Sequence, residues 1–374
     1  MKQIIYADNA ATTKLDIDAF EAMKPYLLDE YGNASQPYSF ARKPKQALKE
    51  ARRIIAECIN AEPDEIFFTS GGTESDNWAI KGIAFSNSKR TAMIASEIEH
   101  HAVLNACADV ERLGYPVAYL PVTSEGVVTV EALEKVITTN TALVSVMFAN
   151  NEIGTIQPIN ELCEVAHLRG ALFHTDAVQA VGHVCVDVKE LGIDMLSASA
   201  HKFNGPKGIG FLYIKKGTPI TSYMSGGAQE SGLRAGTENT ASIVGMAVAL
   251  KKNCDDIKAT STHIAHLEST LLRLLNAERI AYIRNGSGNM IPGNISISFP
   301  GFEGEAILHR LDLMGIQVST GSACDSKKVQ VSHVLRAIGA NEQIAQGTIR
   351  ISLGKDNTID DIVAIASAIC KIVK

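Results

Sequence analysis

The sequence predicts an α/β fold in which a mostly parallel sheet is covered by helices on both faces. Between residues 66 and 214, short apolar runs alternate with stretches of helical periodicity, for example 161–169. The runs are continuously apolar, which is typical of strands buried on both sides. Repeated strand–helix alternation of this kind defines the α/β class. The predicted strands are 66–69, 92–95, 117–120, 142–149, 171–175, 195–199 and 209–214.

From about residue 241 the pattern changes to long helices with few strands. The elements predicted there are helices at 241–253, 256–276 and 359–372 and strands at 294–299 and 348–353. This mixture indicates a small α+β domain. We therefore expect a large α/β domain over residues 15–255, and a small domain formed by residues 1–14 together with 256–374.

The composition is that of an ordinary enzyme. The chain has 374 residues, more than one core usually serves, and 46% of them are hydrophobic. Its net charge is −6 and no dense Lys/Arg stripe occurs, which argues against direct nucleic-acid or membrane-surface binding. The first residues lack the apolar stretch of a signal peptide, and no long apolar run follows. We expect a cytoplasmic protein.

The seven cysteines are scattered, without a CxxC pair or the ligand spacing of a metal finger. This pattern predicts reduced thiols and no metal site. Cys324 lies in a run of Ser, Thr, Gly and Asp over residues 319–326, too polar for a core and too rich in small residues for regular structure. We interpret it as a nucleophile on a mobile loop, and the other six cysteines as buried small hydrophobic residues.

Three predicted strand ends carry groups that fit one cofactor. A Gly71-Gly72 turn follows the first strand and opens a helix, where free N–H groups suit a phosphate. Asp176 follows a second strand and is able to pair with a pyridinium nitrogen. Lys202 follows a third and is placed for a Schiff base with pyridoxal phosphate (PLP). Taken singly, each feature has an ordinary structural explanation. The Gly71-Gly72 turn is then the start of an N-capped helix, Asp176 a helix N-cap and Lys202 a surface lysine.

Other polar residues follow strands of the same pattern. His100 is placed to lie against a cofactor ring and to carry protons near neutral pH, whereas His100 and His101 together are an alternative metal pair. Asn151 is placed to hold a carboxylate, or simply to form a turn. Arg350 is an isolated charge in a strand pattern, either a clamp for a carboxylate or the structural partner of an acid.

Taken together, these stretches resemble the PLP-dependent cysteine desulfurases of the NifS/IscS kind, in the class V aminotransferase family. The resemblance runs almost end to end, from residues 6–13 to the strand of Arg350. Its most specific parts are residues 70–77, 200–202, 226–239, the Gly-Ser-Ala-Cys324 loop and 332–336.

The resemblance implies the PLP-dependent transferase fold type I, with a seven-stranded sheet in the large domain. It implies that Lys202 binds PLP covalently, that Asp176 contacts the ring nitrogen and Gln179 the ring oxygen, and that His100 stacks on the ring. The phosphate is assigned to Gly72, Thr73, Ser199 and His201, and to Thr237 of a neighbouring subunit in a homodimer. The substrate carboxylate is assigned to Asn33, Asn151 and Arg350.

The implied activity converts L-cysteine to L-alanine and leaves the sulfur on Cys324 as a persulfide. A sulfur-acceptor protein, either an iron–sulfur scaffold or a thiolation enzyme, then receives it. The alternative is a selenocysteine lyase or another class V lyase or aminotransferase. The chain departs from the family pattern at Tyr38, which replaces a histidine, at Ser231, which replaces an arginine, and in the charged residues 325–328.

Overall fold

The computed structural model describes residues 4–86, 89–286, 288–320 and 331–374. Its strands are β1 Ile5–Tyr6, β2 Ile66–Thr69, β3 Ala92–Ser96, β4 Val117–Leu120, β5 Thr141–Ser145, β6 Leu172–Asp176, β7 Met195–Ser199, β8 Gly210–Ile214, β9 Ile283–Arg284, β10 Asn294–Ser298, β11 Ile316–Gln317 and β12 Thr348–Ser352. Its helices are α1 Ile17–Leu28, α2 Arg42–Cys58, α3 Gly72–Ala84, α4 His101–Arg112, α5 Val130–Val136, α6 Ile159–Leu168, α7 Thr240–Ala277, α8 Gly304–Leu313, α9 His333–Ala337, α10 Glu342–Ala345 and α11 Ile359–Val373.

The central sheet has seven strands in the order β2-β8-β7-β6-β5-β3-β4. Neighbours from β7 to β4 are parallel, and β8 is antiparallel to both β2 and β7. The predicted mostly parallel seven-stranded sheet is therefore confirmed. The strand predicted at 142–149 ends earlier, at Ser145, although Val146 and Phe148 still donate backbone hydrogen bonds to β6.

Both faces of this sheet are buried. In β2, Phe68 packs into one core with Val144 and Phe173, whereas its neighbour Phe67 packs into a second core with Trp78 on the opposite face. Successive side chains of a strand point to opposite faces, so a strand covered on both sides reads as continuously apolar. This explains the sequence pattern.

The C-terminal part builds a three-stranded antiparallel sheet in the order β12-β10-β9. It shares a separate core with α11 and the later turns of α7. The N-terminal strand β1 pairs with β11, and Asp8 forms a β-bridge with Ser352 of β12. The first residues thus lie against the C-terminal part. The domain boundary at 255–256 falls inside α7 and stays a prediction.

A single helix of 38 residues, α7, occupies the place of the two helices predicted at 241–253 and 256–276. The segment between them, residues 254–255, belongs to neither predicted helix. It contains no Gly or Pro, however, so nothing in its backbone prevents the helix from continuing through it. Asn239 caps the helix, because its side chain accepts a hydrogen bond from the Ser242 N–H at 3.2 Å.

Among the described residues, we find no helix with the length and apolar character needed to cross a membrane.

Candidate active site

A cavity of about 580 Å³ opens at the edge of the sheet where β2, β6 and β7 end. The carboxyl ends of parallel strands are where α/β sheets bind ligands. Ten of the predicted site residues line this cavity: Gly72, Thr73, His100, Asn151, Asp176, Gln179, Ser199, His201, Lys202 and Arg350.

One end of the cavity is formed by the start of α3. Gly71 has φ 149°, a conformation that favours glycine, and a Cβ atom on Gly72 would lie 2.6 Å from Cγ2 of Val178. Thr73 and Ser199 line the same end. The result is a helix N-terminus whose N–H groups face a polar recess, which suits a phosphate.

The floor of the cavity carries two buried carboxyl groups. Carboxylate oxygens of Asp176 and Asp76 lie within 4.8 Å of each other and of a His100 ring nitrogen. Burial raises the pKa of both, and for Asp76 the charge of Asp176 adds to the effect. Asp176 accepts a hydrogen bond from the Val178 N–H at 3.0 Å, whereas Oδ1 of Asp76 has no hydrogen-bond partner among the described residues. Burial and the charge of Asp176 therefore favour the neutral form of Asp76, while a hydrogen bond with Ser197 acts in the opposite direction.

The same three groups are spaced as ligands for a metal ion. A buried aspartate at a strand end equally fits a protonated pyridine nitrogen, because each opposite charge favours the other's ionised form.

His100 is held by the start of α4, as its Nδ1 accepts the Ala102 N–H at 3.1 Å. Burial lowers its pKa, with further lowering by Lys202 partly offset by Asp176. The neutral ring therefore carries its proton on Nε2. A neutral imidazole with a fixed tautomer is suited to lie against an aromatic ring and to exchange a proton.

Lys202 projects into the cavity from the short turn that follows β7. Its Nζ donates to the carbonyl oxygens of Ala10 and Ala11, the latter at 2.9 Å. The Gln179 side chain also donates to the Ala10 carbonyl, at 3.0 Å. The N-terminal segment therefore positions the amine and the amide together.

His201 lies beside this lysine and shares a hydrogen bond with Oγ1 of Thr12 at 3.1 Å. Burial, with the charges of Lys202 and Lys207, lowers its pKa to about 4. His201 is thus neutral at physiological pH and acts as a hydrogen-bonding group rather than a charge.

Arg350 reaches the cavity from β12. Its Nη2 donates to Oδ1 of Asp8 at 2.7 Å, and its Nη1 donates to the Asn151 carbonyl at 3.0 Å. The structural alternative, an acid partner, is therefore present. Its buried Nε has no hydrogen-bond partner among the described residues, so the guanidinium keeps one donor for a further group.

Two predicted site residues lie outside the lining of the cavity. Thr237 is exposed, and Asn33 uses its Oδ1 to accept the Ser35 N–H at 2.9 Å. Their segments are neighbours, because Oγ of Ser35 donates to Glu238 at 3.3 Å. Asn33 and Thr237 therefore share one region of the surface.

Cys324 lies outside the described residues. The residues described before and after its segment, Thr320 and Ser332 among them, line the cavity. Its role stays a prediction.

Further polar residues without a predicted role line the cavity, among them Asp8, Thr12 and Asp76, while Glu99 lies outside the lining and directly before His100. The first three lie within the segments that carry the family resemblance, which was the available signal. Glu99 is completely buried and accepts the Met147 N–H at 2.8 Å. Only its place directly before His100 pointed to it.

The site meets the requirements of a phosphorylated pyridine aldehyde: a glycine-lined helix N-terminus, a buried carboxyl for the ring nitrogen, an imidazole for the ring face and a lysine amine. Together with the sheet, it defines the PLP-dependent enzymes of fold type I as the class of this protein. The chain belongs to the class-V aminotransferase family, which it matches over residues 5–365. The predicted fold, cofactor and family are confirmed.

Several known proteins match the chain over nearly its full length. The chain is 48% identical to "Cysteine desulfurase IscS" of Clostridium botulinum, over 100% of this chain and 95% of that protein. It superposes on a solved "NifS-like protein" with a TM-score of 0.94 and 37% identity, covering 99% of each chain. A structure described as "SspA in complex with cysteine" matches with a TM-score of 0.84 and 36% identity, over 95% of this chain and all of the other.

Proposed function

We propose that this chain is a PLP-dependent cysteine desulfurase, which converts L-cysteine to L-alanine and retains the sulfur as a persulfide on Cys324. The observation that carries the proposal is that Lys202, Asp176 and His100 meet at a glycine-lined helix N-terminus in one cavity. The activity agrees with the names of the full-length relatives.

Different residues around the cavity would bind different parts of PLP. The start of α3, with Gly72 and Thr73, binds the phosphate together with Ser199 and His201. Asp176 would pair with the ring nitrogen and Gln179 with the ring oxygen, and His100 would hold the face of the ring. When bound, PLP supplies an electron sink for the charge that develops at the substrate Cα.

Substrate binding and proton transfer use the other side of the cavity. The guanidinium of Arg350, whose Nε keeps a free donor, binds the substrate carboxylate together with Asn151 and Asn33. Lys202 Nζ, held near the ring by the Ala10 and Ala11 carbonyls, accepts the proton from the substrate Cα.

The thiolate of Cys324 then attacks the substrate sulfur. A Cys324 persulfide forms as the carbon–sulfur bond breaks and the bonding electron pair stays with the three-carbon unit. That unit takes up one proton at Cβ and one at Cα, where Lys202 returns the proton that it removed, and leaves as alanine. A sulfur-acceptor protein, either an iron–sulfur cluster scaffold or a thiolation enzyme, receives the terminal sulfur. We propose a cytoplasmic location, which the six free cysteines among the described residues support, because free thiols persist in a reducing compartment. The expectation that these six are buried is wrong for Cys58 and Cys254, which are half-buried, and for Cys185, which is exposed.

The enzyme acts as a homodimer, in which Thr237 reaches the phosphate in the partner's site. Support comes from the surface that carries Thr237 and Asn33, which lies beside segments with many exposed large apolar side chains. These are Phe20, Leu27, Leu28, Tyr31, Tyr38 and Phe40. Light scattering should give the mass of two chains, and Thr237→Ala should lower PLP affinity without changing that mass. A single-chain mass would contradict the dimer.

The test of the activity is a limiting pulse of L-cysteine given to PLP-loaded enzyme without reductant. We expect one alanine for each cysteine consumed, and a Cys324 peptide that is heavier by one sulfur atom. Cys324→Ser serves as the control and should retain PLP yet release no alanine.

The other outcomes separate the alternatives. Alanine from the Cys324→Ser variant at the unaltered rate would remove the persulfide role and indicate another class V lyase or an aminotransferase. Turnover of selenocysteine but not of cysteine would indicate a selenocysteine lyase.

A further inference from the structure

An ion pair that the proposed reaction does not use lies beside the start of α3. The Arg234 guanidinium holds the Glu74 carboxylate in a two-point contact, in which Nε donates to Oε1 at 2.8 Å and Nη2 donates to Oε2 at 3.1 Å. The Glu74 side chain is 9% exposed and the Arg234 side chain 20%. A two-point contact between these groups is stronger and more specific in its geometry than a single hydrogen bond, and this one is largely shielded from water.

Glu74 belongs to the recess that is proposed to bind the PLP phosphate. It lies in the first turn of α3 and lines the cavity together with Gly71, Gly72 and Thr73. Its Oε2 also accepts the Ser70 N–H at 2.7 Å, so the carboxylate closes the turn that leads into the helix. The recess therefore contains a carboxylate beside the place where a phosphate is expected.

The charge of this carboxylate opposes phosphate binding. Burial raises the pKa of Glu74, but hydrogen bonds from Arg234 and Ser70 outweigh burial and hold the pKa below its usual value. Glu74 is therefore ionised at neutral pH. A carboxylate in a cavity repels a phosphate dianion more strongly than it would in open water, because the effective dielectric constant is lower. The guanidinium of Arg234 places a positive charge directly against it.

Arg234 belongs to a different segment of the chain, which is anchored separately. Residues 230–234 are held against β2 by Glu230, whose carboxylate accepts the Phe68 N–H at 3.0 Å and two hydrogen bonds from Arg52. Arg234 itself lies outside the lining of the cavity. Its guanidinium therefore reaches the recess from behind, on a segment whose position does not depend on the cavity.

We propose that Arg234 is a positioning residue for the cofactor phosphate, which neutralises the Glu74 carboxylate and thereby lets the start of α3 accept a dianion. The inference rests on the proposed function, because it concerns the binding of PLP. Without the guanidinium, the phosphate would meet an unneutralised carboxylate. The ion pair therefore makes the recess selective for PLP over pyridoxal, which carries a hydroxyl group in place of the phosphate.

The experiment titrates the full-length apoenzyme with PLP and, separately, with pyridoxal, and follows the near-visible absorbance of the bound aldehyde. Arg234→Met should weaken PLP binding by about tenfold or more and keep pyridoxal binding within about threefold, because only PLP carries the repelled charge. Arg234→Lys keeps the positive charge and should bind PLP within about threefold of the unaltered chain. As a control, Lys81→Met removes the ion pair with Asp109 near the other end of α3 and should change neither affinity.

The double variant Glu74→Gln/Arg234→Met separates neutralisation from a merely structural role. It removes both charges, while the glutamine side chain still offers an acceptor to the Ser70 N–H. PLP affinity should recover to within about threefold of the unaltered chain. A double variant as weak as Arg234→Met, or an equal loss for PLP and pyridoxal in Arg234→Met, would overturn this inference alone. No absorbance band with either aldehyde in the unaltered chain would overturn the proposed function and this inference with it.

Discussion

At the scale of single residues, the two buried carboxyls of the site differ in their surroundings. Asp176 accepts a backbone hydrogen bond, while the neighbouring Asp76 has an oxygen without a partner among the described residues and a pKa raised by burial and by Asp176. Of the two, we propose Asp176 as the charge that would pair with a pyridine nitrogen.

Asp176→Asn should lower kcat by about 100-fold or more, because the ring nitrogen loses the charge that keeps it protonated. Asp76→Asn, the matched control, should keep kcat within about threefold, since burial and the charge of Asp176 raise the pKa of Asp76 and favour the neutral form that an amide resembles. Steady-state alanine production measures both. Equal losses in the two variants would contradict this assignment.

Lys202→Ala should abolish the near-visible absorbance of bound PLP, because no other amine is proposed to hold it covalently. Lys207→Ala removes an exposed lysine of the same cavity and should leave the band unchanged. An unaltered band in Lys202→Ala would show that the lysine is wrongly identified.

Glu99 should give the stability a distinct pH dependence. Burial raises its pKa from 4.5 to about 8 in the folded chain. Between these values the folded state holds a proton that the unfolded state has lost, so stability falls as the pH rises. Glu99→Gln should remove this loss, on the order of 3 kcal/mol between pH 5 and 8.

Denaturant unfolding at the two pH values measures the difference. Glu97→Gln is the control, since Glu97 is exposed and its removal should leave the pH dependence as it was. An identical slope in wild type and Glu99→Gln would refute the raised pKa.

At the scale of elements, the start of α3 depends on the absence of a side chain. A Cβ on Gly72 would meet Cγ2 of Val178 at 2.6 Å. Gly72→Ala should therefore displace the helix start and weaken PLP binding by at least tenfold, measured by cofactor titration. Adding Val178→Ala removes the methyl group that clashes and should recover most of the affinity. No recovery would mean that the clash is not the cause.

Some elements could be predicted from the sequence and others could not. Buried strands such as β6 and β7 could be predicted from the sequence, because burial on both faces produces continuous apolar runs. Strand ends then placed Asp176 and Lys202 correctly in one cavity. The continuity of α7 was not predicted, because its middle is polar. The structure packs this single long helix against α1, α2 and α11. The Arg350–Asp8 ion pair could not be predicted either, because it joins residues from opposite ends of the chain.

At the scale of the whole molecule, both parts of the chain contribute to one site. Arg350 and Asp8 come from the C-terminal sheet and the N-terminal segment, and Lys202 from the large sheet. Calorimetry of the PLP-loaded enzyme should therefore show a single unfolding transition, and removal of PLP should lower its Tm without splitting it. Two resolved transitions in the loaded enzyme would contradict this coupling.

The long helix gives the molecule a mechanical property. At 1.5 Å per residue, the 38 residues of α7 span about 57 Å. Its first half packs on α1 and α2, and Ile264 and Leu267 in its later half share a core with Ile349 and Ile351, the neighbours of Arg350 in β12. Because α7 is this long, a tilt of a few degrees about one end moves the other end by roughly 3 Å. Small changes in packing beside α1 or α2 should therefore shift Arg350, far from where they occur.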